Sequence, residues 1–166
     1  MTTANERQVG GTHYSSSLQH WDVCVKYGVQ YLEAAATKYV TRWQKKDGLR
    51  DLEKAGHYLQ KLIEENTDRP GAEQRRMKLL TAGFGRVNMD DVFNFVVING
   101  LRFREASFCR LVFTWTDIGH LRDAAKLLEE IIQEEKDRLA QVKAEQDARP
   151  RAVEQTNPRG FQPEGE

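Results

Sequence analysis

A chain of 166 residues, 39% of them hydrophobic, is long enough for one domain with a buried core, while 30% charged residues and a mean hydropathy of -0.69 imply much solvated helix surface. Twenty-five basic residues balance 25 acidic ones, so no whole-molecule charge draws the chain to nucleic acid or to an anionic membrane, and any such attraction has to be local. No apolar run approaches the ~18 residues of a membrane span, and MTTANERQVGG lacks the apolar region of a signal peptide. Cys24 and Cys109 have no metal-like spacing and read as reduced, mostly buried thiols. The expectation is a soluble, cytosolic protein.

In chain order, residues 1–8 form a flexible polar N-terminus, followed by VGGTHYSSS (Val9 to Ser17). Paired glycines are costly in a helix, so this segment reads as a loop lying on the helices, with His13 and Tyr14 set to reach a ligand. Apolar residues at 18, 21, 24 and 25 predict an amphipathic helix over 18–27, with Gly28 as its C-terminal cap. A second helix is predicted over 30–46, its apolar face formed by Leu32, Ala35, Ala36, Tyr39, Val40 and Trp43. Lys46-Asp47-Gly48 is a helix stop, and Asp47 suits the cap of a third helix over 49–66 that buries Leu52, Ala55, Leu59, Leu62 and Ile63. The short connection favours an antiparallel hairpin.

Residues 67–88 read as a linker holding a short basic helix, Glu73 to Thr81, and a glycine turn in GFGRVN (Gly83 to Asn88). That turn has neither the spacing nor the Lys-Ser/Thr ending of a P-loop. A second series follows: a helix over 89–99, Gly100, a helix over 101–116, a turn at Gly119, and a helix from about Leu121 into the 140s. Past Ala144 the apolar period is lost and Pro150, Pro158 and Pro163 appear, so 145–166 reads as a disordered tail.

The second series copies the first. At an offset of 72 positions, Gly28, Glu33, Ala34, Val40 and Trp43 fall on Gly100, Glu105, Ala106, Val112 and Trp115. Leu49, Arg50, Asp51 and Lys54 fall on Leu121, Arg122, Asp123 and Lys126, and from Val25 to Lys54 ten of 30 positions match without a gap. The predicted fold is all-α: two duplicated helical hairpin modules, 9–66 and 89–144, packed as a helical bundle.

The copies differ in charge. Lys38, Arg42 and Lys45 share a helix face, Lys46 adds a fourth cation, and no acid lies between Lys38 and Lys46, whereas Arg110 to Ile118 holds one Arg and one Asp. A cationic face suits phosphate groups, and its plain alternative is a solvated surface. Tyr39 and Trp43 fall on the apolar stripe and read as core before base-stacking platforms. Asp51, with Lys54 and Tyr58 one and two turns on, can orient a basic residue, hold a magnesium ion, or simply favour the helix dipole. Glu33 and Glu105 read as structural helix-start carboxylates, and His57 is a second group able to titrate near neutral pH.

VGGTHY followed by ATKYVTRWQKKDGLRDLEKAGHYLQKLIE resembles the small phage domain family known as DUF3310 or SaV-like. The shared positions are Gly11, His13, Tyr14, Lys38, Tyr39, Arg42, Lys45, Lys46, Gly48, Leu49, Asp51, Leu52, Lys54, Ala55, Tyr58 and Leu59, within residues 9–64. Ala-Ala-Thr replaces the Gly-Asn that often precedes the family's Lys-Tyr pair.

The resemblance implies a phage protein in the host bacterial cytoplasm, related to the C-terminal domain of the T7-type, P-loop-less nucleotide kinases that phosphorylate deoxynucleoside monophosphates. It implies a nucleotide site in which Tyr14, Lys38, Arg42, Lys45, Lys46 and Lys54 bind substrate. His13 and Asp51 would be the catalytic candidates, with Asp51 on Mg2+. The alternative is a phage accessory protein without turnover that sequesters a nucleotide or engages a host protein. Zero net charge disfavours a third reading, single-stranded nucleic acid stacked on Tyr39 and Trp43. The exposed hairpin faces permit a homo-oligomer.

Overall fold

A computed structural model describes residues 17–67, 69–82 and 86–148. The described residues form seven α-helices and one 3-10 turn, with no strand: α1 His20–Tyr27, α2 Tyr31–Arg42, the turn Trp43–Lys45, α3 Leu49–Thr67, α4 Ala72–Ala82, α5 Met89–Ile98, α6 Phe103–Phe113 and α7 Ile118–Ala148. The protein is all-α, as its apolar spacing predicts, and none of the described helices is long and apolar enough to cross a membrane.

Four long elements make the centre. Helices α2 and α3 form one hairpin and α6 and α7 another; α3 packs on α7 and α2 on α6. Leu52, Leu59, Phe108, Val112 and Leu121, each at most 1% exposed, fill the space between them. Helix α1 lies on α2, α5 lies on α6, and α4 packs against α3.

The offset of 72 runs through this architecture. Tyr31, where α2 starts, corresponds to Phe103, where α6 starts, and the same helix stop recurs at Gly28 and Gly100, with φ of 62° and 64°. Only glycine takes that left-handed conformation at little cost. The stop turns the next amide back into the helix: Val29 N donates to Cys24 O and Leu101 N to Val96 O, both at 3.0 Å.

Each half also grips the other. Trp43 Nε1 donates to Glu105 Oε1 at 3.1 Å, and Trp115 Nε1 donates to Glu33 Oε1 at 3.2 Å. Both carboxylates are buried, and burial raises the pKa of Glu33 against the pull of its own backbone hydrogen bond and the Trp115 indole. Glu33 and Glu105 are therefore structural ties between the halves.

Some boundaries move, each for a local reason. The helix expected over 30–46 stops at Arg42, because the Lys46 and Gly48 amides both turn back onto Trp43 O at 3.4 and 2.9 Å. Gly119 is not a turn between helices: it lies in the first turn of α7, its N–H held by Asp117 Oδ1 at 2.7 Å. Helix α7 continues past Ala144 to Ala148, while 149–166 lie outside the described residues. Val87, assigned to the linker, is 3% exposed and donates its N–H to Phe113 O at 3.2 Å, which fastens the entry to α5 onto the core.

His20 is buried on α1, with Nε2 2.8 Å from Thr37 Oγ1 and its ring against Phe95 and Phe113. Burial first, and then the Lys38 charge, lower its pKa to about 4 from an ordinary 6.5. Between those values the unfolded chain binds the proton and the folded one does not, so this contribution is present above pH 6.5 and is lost as the pH falls towards 4. The full drop is about 3 kcal/mol at 1.36 kcal/mol per pKa unit. Urea unfolding from pH 7 to 4 should show that loss in the wild type and a much flatter profile in His20→Gln. Equal slopes in the two proteins would mean that His20 is not buried in its neutral form.

Candidate functional site

The first hairpin carries a cluster of cations built on an aromatic floor. Tyr39 on α2 stacks on Tyr58 of α3, with ring centroids 5.7 Å apart and planes 14° from parallel, and Tyr31 meets Tyr58 edge-on with the two hydroxyls 3.2 Å apart. Three cations lie over the Tyr39 ring: Arg42 at 4.7 Å, Lys38 at 4.9 Å and Lys54 at 5.2 Å from its centroid. The ring's negative face attracts each of them, but only by about 0.5–1 kcal/mol at a site open to water. A carboxylate holds the group together.

That carboxylate is Asp51, whose side chain is fully buried. Arg42 Nε donates to its Oδ2 at 2.9 Å and Arg42 Nη2 to its Oδ1 at 3.3 Å, while Lys54 Nζ reaches Oδ1 at 2.9 Å from one turn along α3. Lys54 also bonds Asp47 Oδ2 at 3.0 Å, so Asp47 faces a lysine side chain across the turn. Burial pushes the Asp51 pKa up, but the hydrogen bonds and charges of Arg42 and Lys54 outweigh it and hold the group below the usual carboxylate value. Of the roles open to it from sequence, orienting basic side chains is the one its geometry displays.

Lys38 differs from Arg42 and Lys54. Among the described residues no carboxylate pairs with it, and its pKa is lowered, by burial first and then by the Arg42 charge, with Lys46 adding to the effect. Lys45 and Lys46 are exposed at the turn. Four cations, Lys38, Arg42, Lys46 and Lys54, thus stand against two acids, Asp47 and Asp51, while Lys45, next in the turn, lines a separate small cavity with Asn99, Gly100 and Glu105. Such an excess, partly shielded from water, is relieved by an incoming anion. A cleft of about 250 Å³, lined by Gln19, His20, Trp21 and Lys38, opens beside Lys38.

The second hairpin keeps the acid and two cations, Asp123, Arg110 and Lys126, but lacks the aromatic floor, the arginine and the turn lysines. Leu111 and Thr114 stand where Tyr39 and Arg42 stand in the first, Glu130 replaces Tyr58, and Asp123 is 60% exposed beside Lys126. The larger cleft of this half, about 570 Å³ between α6 and α7, is walled by Trp43, Phe103 and Ile131. Most of its charges are spent on one another, Arg104 on Glu130 and Glu134 and Arg138 on Glu135, and the remaining Arg102 and Glu105 are opposite in sign. Unbalanced charge, not volume, places the candidate site on the first hairpin.

His13 and Tyr14 lie outside the described residues, so the structure does not place them against the cluster. His57 is exposed on α3, its ring 6.0 Å from Tyr58. A divalent ion at Asp51 would meet Arg42 and Lys54 on the same two oxygens, and the described residues contain no group of three or more His, Cys, Asp or Glu able to hold a metal. As placed, the site does not fit a resident magnesium ion. Both cysteines are free thiols whose pKa burial pushes up to about 12, which leaves them unreactive.

Two features escape a sequence reading. One is Tyr39 as the common floor for three cations, signalled only by its place between Lys38 and Arg42. The other is the Asp47–Lys54 bridge across the turn, seven residues apart. Comparison with family models, curated proteins and solved structures finds no match for the chain.

Proposed function

We propose that the chain binds a nucleotide, with its phosphate groups on the cluster of Lys38, Arg42, Lys46 and Lys54 and on Lys45 next to it in the turn. The observation that carries this reading is the pairing pattern. Asp51 fixes Arg42 and Lys54 in position, while Lys38, Lys45 and Lys46 have no carboxylate partner among the described residues. Arginine offers phosphate a planar fork and lysine a point charge, so the set suits several oxygens of one ligand.

The resemblance to phage nucleotide kinases supplies the activity to test on this site: transfer of a phosphoryl group from a nucleoside triphosphate to a deoxynucleoside monophosphate. Such transfer depends chiefly on positioning and charge neutralisation, which the cluster can provide. Lys38, Arg42 and the turn lysines would hold phosphate oxygens, Lys54 would share that work, and Asp51 would act as a positioning residue. The accepting hydroxyl would need a proton acceptor, and His13 is the candidate the sequence offers. A second reading, capture of a nucleotide without turnover inside an infected host cell, is favoured by one observation: both Asp51 oxygens are already engaged by cations.

Thermal unfolding of the full chain against nucleoside mono-, di- and triphosphates, with and without magnesium, tests binding. A ligand at a hundredfold excess over its Kd adds about 2.7 kcal/mol, and at about 2–4 °C per kcal/mol for a chain of this size Tm should rise by about 5–10 °C. Product formation from a bound monophosphate and triphosphate pair would select the kinase; binding of either ligand without product would select capture. No shift with any nucleotide would sink both and leave engagement of a host protein.

A further inference from the structure

Helices α1 and α5 lie side by side and antiparallel. Asn99 Nδ2, at the end of α5, donates to Leu18 O at the start of α1 at 3.1 Å, and Tyr27 at the end of α1 donates its hydroxyl to Asp91 at the start of α5. Their inner faces bury His20, Val23, Val92 and Phe95 in the core. An ordinary surface helix turns polar side chains outward, and one that is apolar all round is normally covered.

The outer faces here carry large apolar side chains as well, beside the exposed Lys26, Asp90 and Asn94. Trp21 is 45% exposed, Val25 83%, Met89 54%, Phe93 65%, Val97 59% and Ile98 45%. Met89, Phe93 and Val97 form one stripe along α5 at intervals of four. The offset of 72 maps Trp21 onto Phe93 and Val25 onto Val97, so the exposed pairs occur in both halves. Both copies have kept an apolar outer face while losing their match in charge at the hairpin turn.

We propose that this α1–α5 face is a self-association surface covered by a second copy of the chain. Its area suits that occupant. The six side chains leave roughly 700 Å² uncovered, at 150–250 Å² for a whole aromatic residue, against about 300–600 Å² for the largest apolar patch of a typical monomer and about 800 Å² per partner in a stable complex. Lys26 and Asp91, which bridge the two helices, neutralise one another, while Asp22 and Asp90 leave the pair weakly acidic, which disfavours an acidic partner. The shape of the face suits a second copy too. An isologous contact needs a self-complementary patch, and two antiparallel helices bearing equivalent residues present one, forming a closed four-helix layer with the copy opposite.

Sedimentation equilibrium of the full chain from about 1 to 100 µM tests this directly. The expected result is a mass twice the 19.1 kDa of one chain, returning to 19.1 kDa in Val25→Glu/Val97→Glu with an unchanged helical circular dichroism spectrum. The nucleotide-induced Tm shift should persist in that variant, since neither valine belongs to the basic cluster. A second readout needs no substitution: amide exchange in 20–27 and 89–98 should slow as concentration rises. A wild type that stays monomeric throughout, with exchange independent of concentration, overturns the proposal, whether residues 1–16 or a different protein cover the face. So does a variant that keeps its fold and the doubled mass.

Discussion

Asp51→Ala should destabilise the protein by about 3 kcal/mol, near the lower end of the range for removing one partner of a buried ion pair. The lower end applies because Lys54 keeps 31% of its side chain in water and can solvate its charge once Asp51 is gone, whereas Arg42 keeps only 11%. Asp123→Ala, at the equivalent position of the second half, should change stability by no more than about 0.5 kcal/mol, because its carboxylate is 60% exposed. Urea denaturation of the two variants makes the comparison at fixed chemistry. The pH dependence has a definite sign. The Asp51 pKa is depressed on folding, so its contribution is fully present above the unfolded carboxylate value and disappears as the pH falls through the folded one. That window lies below the one in which His20 acts, so the two acid losses separate. Near-equal effects of Asp51→Ala and Asp123→Ala would remove the claim that Asp51 organises the basic cluster.

Glu105→Ala should cost about 2–3 kcal/mol, and Glu33→Ala a similar amount. Each carboxylate takes the indole N–H of the opposite half, but Glu105 Oε1 also takes Gln44 Nε2 at 2.9 Å. Glu33 also holds its own backbone N–H, and Gln44 is exposed and can turn to water, so each removal leaves one buried indole donor short of an acceptor, at about 1–3 kcal/mol. Part of that loss is offset, since Oε2 of each glutamate has no partner among the described residues and carries a desolvation cost that the substitution relieves. A double-mutant cycle with Trp43→Phe isolates the Trp43–Glu105 coupling. Additive effects would show that the Trp43–Glu105 hydrogen bond does not hold the two halves together.

The order of elements is legible in the sequence because the signals are local. The apolar intervals that mark α2 and α3 return in part 72 positions on, whereas those read for α1 include its outward face, since Trp21 and Val25 are exposed and His20 and Val23 are buried; Gly28 and Gly100 announce the ends of α1 and α5 by the one property that a glycine alone has. Boundaries that depend on a returning backbone bond are less legible. Nothing in QKKDG says that Lys46 and Gly48 will share the Trp43 carbonyl and end α2 early, and nothing in TDIGH says that Asp117 will draw Gly119 into a helix.

The site shows the same division. Lys38 and Arg42 share a helix face by spacing alone, so their proximity is readable. That Tyr39, half-buried against the core, also lies beneath them depends on Tyr58 arriving from α3 to stack on it, which is a tertiary fact. The ties between Trp43 and Glu105 and between Trp115 and Glu33 span 62 and 82 positions and follow only from the way the two halves meet. An offset in sequence identifies equivalent residues; it does not say which of them will touch.

Calorimetric titration of a deoxynucleoside monophosphate, and separately of a nucleoside triphosphate, into the wild type, Lys45→Glu/Lys46→Glu and Arg110→Glu tests whether the first hairpin holds the nucleotide. Lys45 and Lys46 are exposed at the turn, so reversing them removes charge from the site without opening the core. The expected result is binding to the wild type, binding retained by Arg110→Glu, and a loss of at least about tenfold, or 1.4 kcal/mol, in Lys45→Glu/Lys46→Glu. Unchanged affinity in the lysine variant, or binding abolished by Arg110→Glu alone, would contradict it and move the ligand to the second half of the chain.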